Sequence, residues 1–153
     1  MDEVPGPDSS THGSASSLVR LADVGLYIVT LNNEHPIPVN ANDRRRADTC
    51  IRVSRVNCKF GKATSLSRRR ENYCKVFGAA NVNFRPIALT EQISRAEKLV
   101  LAVLEAWRIR GLSGRKNEWL FGIEPAEVER IALSTLNAAG FEFALPGRSE
   151  NQR

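Results

Sequence analysis

Between Cys58 and Tyr73 the chain reads C-K-F-G-K-A-T-S-L-S-R-R-R-E-N-Y, and no other stretch restricts its fold and chemistry as tightly. Alternating apolar residues ending at Phe60 and Gly61 predict a strand. A Gly-Lys turn carrying Lys62 should follow, with Thr64 or Ser65 as the N-cap of a helix that bears Arg68, Arg69 and Arg70 on its first two turns. Backbone N–H groups and positive charge gathered at a strand end suit a phosphate. Successive helical residues are turned by about 100°, so three consecutive arginines cannot share one direction. One is expected to point at the strand ends and the others into solvent. The competing reading of this stretch is a solvated basic face.

Charge is concentrated around this stretch. From Asn42 to Arg70 there are ten Lys or Arg against Asp43 and Asp48, a local balance of +8 in a chain whose total is +5. A basic segment on a mildly acidic remainder is the footprint of a protein that displaces counterions from nucleic-acid phosphates. An anionic membrane surface is disfavoured, because no amphipathic basic helix with bulky apolar residues opposite accompanies the charge. A chain of 153 residues, 42% hydrophobic, suits one soluble domain. Its longest apolar run, Leu99 to Leu104, is far below the ~20 residues that span a bilayer. The N-terminus lacks a basic flank followed by an apolar core, and a cytoplasmic location is expected. Cys50, Cys58 and Cys74 lack CxxC spacing, and neither His12 nor His35 forms a ligand pair with them. Free thiols are therefore expected, and a zinc site is not.

The domain is expected over residues 18–145, between a disordered Ser/Gly/Pro-rich tail at 1–17 and a second tail at 146–153. Gly25 to Leu31, G-L-Y-I-V-T-L, predicts a buried strand. Pro36, Pro38, several Asn and the triple Arg44, Arg45, Arg46 predict an extended basic loop over 32–48. Ile51 to Gly61 predicts the second strand, with a bulge where the apolar parity shifts between Val53 and Val56. After the arginine helix, which should end near Phe77-Gly78, Val82 to Leu89 predicts a third strand that Pro86 places at an edge or a break. Thr90 should cap the longest helix, running to about Ile109–Gly111. On it Ile93, Glu97, Val100, Leu104 and Trp107 form one stripe. Glu97 is the charged member of that stripe, so it is either paired or working. Asn117 to Phe121 predicts a small strand-like segment. Pro125 should start a last helix with Val128, Ile131, Ala132 and Leu136 inward and Gly140 as its stop, and Phe141 to Leu145 could add a short strand. The sum is an α/β domain with a small central sheet of about three strands flanked by helices.

The order of these elements, with the residues at their key points, resembles the GIY-YIG nuclease superfamily, which includes homing endonucleases, some restriction enzymes and the nucleotide-excision repair nuclease. Gly25-Leu26-Tyr27 stands for the first motif, and Lys59-Phe60-Gly61-Lys62 for the second, with Lys59 in place of its tyrosine. Arg69 lies eight residues after Gly61 and Tyr73 four further on, where the family carries its catalytic arginine and a Tyr or His. Glu97 matches the metal-binding glutamate, and Asn117 the asparagine of many members. The resemblance spans Gly25 to about Phe121, and the segment carrying Arg44 to Arg46 looks like an added DNA-contacting arm.

What the resemblance implies is a metal-dependent DNA endonuclease. Tyr27 would be the general base, its pKa lowered by its surroundings. Arg69 would hold the scissile phosphate, and Glu97 one Mg²⁺ or Mn²⁺. Tyr73 and Asn117 would be hydrogen-bond partners beside the phosphate. Lys59 would serve as a member of the proton network or as a phosphate contact. Arg44, Arg45, Arg46, Lys62, Arg68 and Arg70 would contact DNA. The alternatives are a nucleic-acid-binding module that has lost cleavage, for which Lys59 is the motive, and an interaction protein whose basic segment meets an acidic partner.

Overall fold

A computed structural model describes residues 23–39, 51–110 and 116–147. The expected tail at 1–17, the arginines Arg44 to Arg46 and the last residues of the chain lie outside them. The described residues form a mixed α/β fold: a five-stranded antiparallel sheet, a two-stranded ribbon and three α-helices. The sheet therefore has more than the three strands expected.

Strand β1 (Gly25–Leu31) pairs on one side with β4 (Asn57–Ala63) and on the other with β5 (Val82–Leu89). Beyond β4 lie β7 (Lys116–Phe121) and then β6 (Arg108–Arg110), giving the order β5-β1-β4-β7-β6. The ribbon joins β2 (Ile37–Pro38) to β3 (Arg52–Val53). The dense apolar run of β1 is explained by cover on both faces. On one face Leu26, Ile28, Cys58 and Phe60 pack against helices α2 (Ile93–Val103) and α3 (Pro125–Ala138) through Ala96, Val100, Val128, Ala132 and Leu136. On the other, Tyr27, Val29 and Trp119 pack with Val53 of the ribbon and with Leu66 and Tyr73 of helix α1 (Leu66–Phe77). Phe60 is wholly buried, and truncating such a side chain costs about 3–5 kcal/mol.

Several expectations hold. Ser65 caps α1, its Oγ accepting the Arg68 N–H, and the helix gives way to Gly78 at φ 95°. Pro86 sits on β5, an edge of the sheet. Pro125 opens α3 in its first turn, and Gly140 follows it at φ 77°.

Other expectations are corrected. The parity shift after Val53 is a tight turn and not a bulge. The Asn57 N–H bonds the Ser54 carbonyl at 3.0 Å, while Asn57 Oδ1 accepts the Ser54 N–H at 2.9 Å. The loop after β1 contributes β2, because Ile37 has Val53 to pair with. Helix α2 stops at Val103; a 3₁₀ turn, Glu105–Trp107, then leads into β6, so α3 and not α2 is the longest helix described. Gln92 is the N-cap of α2, and Thr90 supports it by accepting the Gln92 N–H while its hydroxyl donates to the Glu142 carbonyl. The expected last strand is a single bridge, Leu89 to Ala144. Cys58 and Cys74 are free thiols, and none of the described helices is long and apolar enough to cross a membrane.

Candidate active site

Strand pairing and one helix assemble the cluster. In the β1–β4 register Tyr27 lies opposite Gly61 and Val29 opposite Lys59, so these four positions share the face that α1 covers. A Cβ at Gly61 would fall 2.5 Å from both Cζ and Oη of Tyr27, and only glycine lets the phenol cross the neighbouring strand there. At Gly25 a Cβ would fall 2.1 Å from the Ala88 carbonyl oxygen, next to the register shift between Leu26 and Tyr27. Both glycines of the sequence pattern thus have a steric reason.

Tyr27 is 1% exposed, and its Oη lies 2.8 Å from Tyr73 Oη. Arg69 Nη1 donates to Tyr27 Oη at 3.3 Å. The rings of Tyr27 and Tyr73 meet edge to face at 5.7 Å, and Phe84 of β5 stacks on Tyr27 at 4.7 Å. Lys59 Nζ stands 5.1 Å from the centre of the Tyr73 ring, a cation–π contact. Of the three arginines, Arg69 turns inward while Arg68 and Arg70 are exposed, the division expected from helical rotation. Arg70 lines an open cavity of about 540 Å³ together with Asn83, Phe84, Arg85 and Glu129.

Burial, and then the neighbouring Tyr73, push the Tyr27 phenol well above its ordinary value, although Lys59 and Arg69 pull it down. This reverses the expected lowering: at neutral pH Tyr27 is a hydroxyl. Burial also pushes Tyr73 up, to about 12, against the hydrogen bond from Tyr27 and the charge of Arg69.

Glu97 belongs to α2, which covers the opposite face. Its carboxylate Oε1 is 3.5 Å from Lys62 Nζ, and Lys62 also donates to Ser94 Oγ at 3.1 Å. Burial raises the Glu97 carboxyl; Lys62 lowers it, Glu118 raises it further, and Lys59 lowers it. Glu118 acts on Tyr73 as well, so its charge and that of Lys59 link Glu97 to the tyrosine cluster. Among the described residues no three His, Cys, Asp or Glu side chains gather as a metal cage. A divalent ion here would be held by Glu97 and water, which suits a hard cation that dehydrates reluctantly.

Two sequence expectations change. The start of α1 is no phosphate cradle: Asp23 Oδ1 accepts the Ser67 N–H at 2.9 Å, the Asp23 carbonyl accepts the Leu66 N–H at 2.7 Å, and Ser65 Oγ donates to Asp23 Oδ2 at 2.7 Å. A carboxylate of the chain itself already meets the helix dipole. Gly61 and Lys62 form no turn either, since β4 continues to Ala63, and Lys62 is turned to Glu97. Asn117 lies on β7, and the position of its side chain lies outside what is described.

Sequence reasoning missed Asp23, Phe84 and Glu118. Phe84 could have been found from the alternation along β5; Asp23 and Glu118 reach the site only through long-range contacts. No protein-family model, curated protein or solved structure matches this chain.

Proposed function

We propose that this chain is a metal-dependent DNA endonuclease of the GIY-YIG type. The observation that supports it most is the hydrogen-bonded set of Tyr27, Tyr73 and Arg69 with Lys59 beside it. Two phenols and two cations meet on one sheet face, with a largely buried carboxylate, Glu97, in electrostatic reach.

In this reading Arg69 binds the scissile phosphate in fork geometry, exchanging its bond to Tyr27 for bonds to phosphoryl oxygens. The ionised form of Tyr27 takes a proton from the attacking water and becomes the neutral phenol, and Lys59 and Arg69 are the charges that stabilise the phenolate before the transfer. Tyr73 keeps the Tyr27 oxygen in place. Glu97 holds a divalent ion, which when bound supplies charge neutralisation at the leaving oxygen. Lys59 takes the place of the second phenol as a cation and not as a neutral donor.

A DNA-binding domain without cleavage is the second reading. It is favoured by the raised Tyr27 phenol, which is a poor base at neutral pH. Nicking of supercoiled plasmid in Mg²⁺ and its loss in chelator support the first reading. DNA binding with no nicking in Mg²⁺ or Mn²⁺ supports the second.

A further inference from the structure

Lys62 and Lys59 leave β4 on opposite faces, because they are an odd number of residues apart. Lys59 goes to Tyr73; Lys62 goes to α2, where its ammonium sits against Ser94 Oγ at 3.1 Å and Glu97 Oε1 at 3.5 Å. Ser94 and Glu97 are one helical turn apart on the same side of α2, so the two oxygens together form the seat of the ammonium. The Glu97 side chain is only 16% exposed, whereas that of Lys62 is 38% exposed. A largely buried carboxylate needs a compensating cation. Its partner, tethered by a flexible chain and open to solvent, can leave without disturbing the core.

From this geometry we infer that Lys62 is the resident counter-cation of Glu97, and that a divalent metal and the Lys62 ammonium occupy this carboxylate in turn. The inference rests on the reading of Glu97 as the metal ligand. It adds that metal affinity is set by a competing group of the protein. Each divalent ion bound displaces an ammonium that was hydrogen-bonded to Ser94 and paired with Glu97. The metal-free protein is thereby kept in a folded, charge-balanced state, and Lys62 returns to solvent when the ion enters.

The test is Mn²⁺ binding without DNA, followed by the loss of the free-ion electron paramagnetic resonance signal, for the wild type, Lys62→Met, Lys62→Gln and Glu97→Gln, each checked by thermal melting. Removing the competing charge is expected to tighten Mn²⁺ binding about tenfold in both Lys62 variants. Glu97→Gln is expected to abolish it. Unchanged affinity in both Lys62 variants, with binding lost in Glu97→Gln, overturns the inference and leaves the metal reading standing. Wild-type affinity in Glu97→Gln, or no binding in any protein, overturns both. In a second readout, Mg²⁺ should shift the ammonium resonance of Lys62 in the wild type and not in Glu97→Gln.

Discussion

Gly61 lies beneath the phenol of Tyr27, so close that a single added methyl group would stand 2.5 Å from the ring carbon that bears the hydroxyl and from the hydroxyl oxygen itself. The pairing of Tyr27 with Gly61 across β1 and β4 therefore sets where the phenol points, and with it the meeting of Tyr27, Tyr73 and Arg69.

Gly61→Ala should destabilise the fold by about 1–3 kcal/mol, the usual range for overpacking, and should displace the Tyr27 hydroxyl. Thermal unfolding checks the first effect. A double variant, Tyr27→Ala with Gly61→Ala, should cost less than the sum of the two singles, because the clash needs both groups. Strict additivity would mean that the contact is not what Gly61 protects.

The protonation of Tyr27 sets a pH dependence. Its phenol is raised, by burial first and then by Tyr73, so only a small ionised fraction exists at neutral pH. If Tyr27 is the base, that fraction and the single-turnover cleavage rate rise about tenfold per unit from about pH 7 to about pH 9. Lys59→Met removes a charge that pulls the phenol down, so it should lower the rate by a similar factor across that window. A flat profile would remove Tyr27 from the role of base.

Asp23 anchors the start of α1, and Asp23→Ala should cost about 1–2 kcal/mol. Burial raises its carboxyl, but the hydrogen bonds from Ser65 and Ser67 outweigh this and the net pKa is lowered. A lowered folded pKa gives stability that is fully present above the unfolded value of about 3.9 and is lost as pH falls through the folded value. The difference in stability between wild type and Asp23→Ala, measured by urea unfolding, should therefore shrink below about pH 4. A constant difference would show that the carboxylate charge contributes nothing.

How far this architecture could be read from the sequence depended on the range of the forces involved. β1 announced itself through consecutive β-branched and aromatic residues, α1 through Ser65 and Gly78, and the edge position of β5 through Pro86. Lys59 was grouped with Tyr27 through the motif resemblance alone; the β1–β4 register is what brings the two to one face. The turn at Ser54 was hidden because the Asn57 side chain makes it, and Asn57 Nδ2 then ties it to the distant Leu120 carbonyl at 3.1 Å. β7 was legible in the run from Asn117 to Phe121, whereas β6 was hidden inside the expected end of the long helix, because only its pairing with β7 defines it. The pairing of Lys62 with Glu97 spans thirty-five positions, and the capping of α1 by Asp23 more than forty, with no local pattern to mark either. The direction of the Tyr27 shift depended on a burial that only the packed aromatic rings create.

The triple arginine at Arg44 to Arg46 should act through phosphate charge alone. Replacing all three with Ala is expected to weaken DNA binding and to reduce the salt slope by up to about three, since each phosphate contact contributes close to one unit. Fluorescence anisotropy over a range of salt concentrations measures it. An unchanged slope would leave these residues without a DNA contact.

Arg69→Ala tests the central claim most directly, because Arg69 joins the phenol cluster to the proposed scissile phosphate. Single-turnover nicking of supercoiled plasmid in Mg²⁺ should fall about a hundredfold or more relative to wild type, the loss expected when a charge contact to the transition state is removed. The circular dichroism spectrum should be unchanged, since Arg69 is only partly buried. Nicking at the wild-type rate by a folded Arg69→Ala protein would contradict the account.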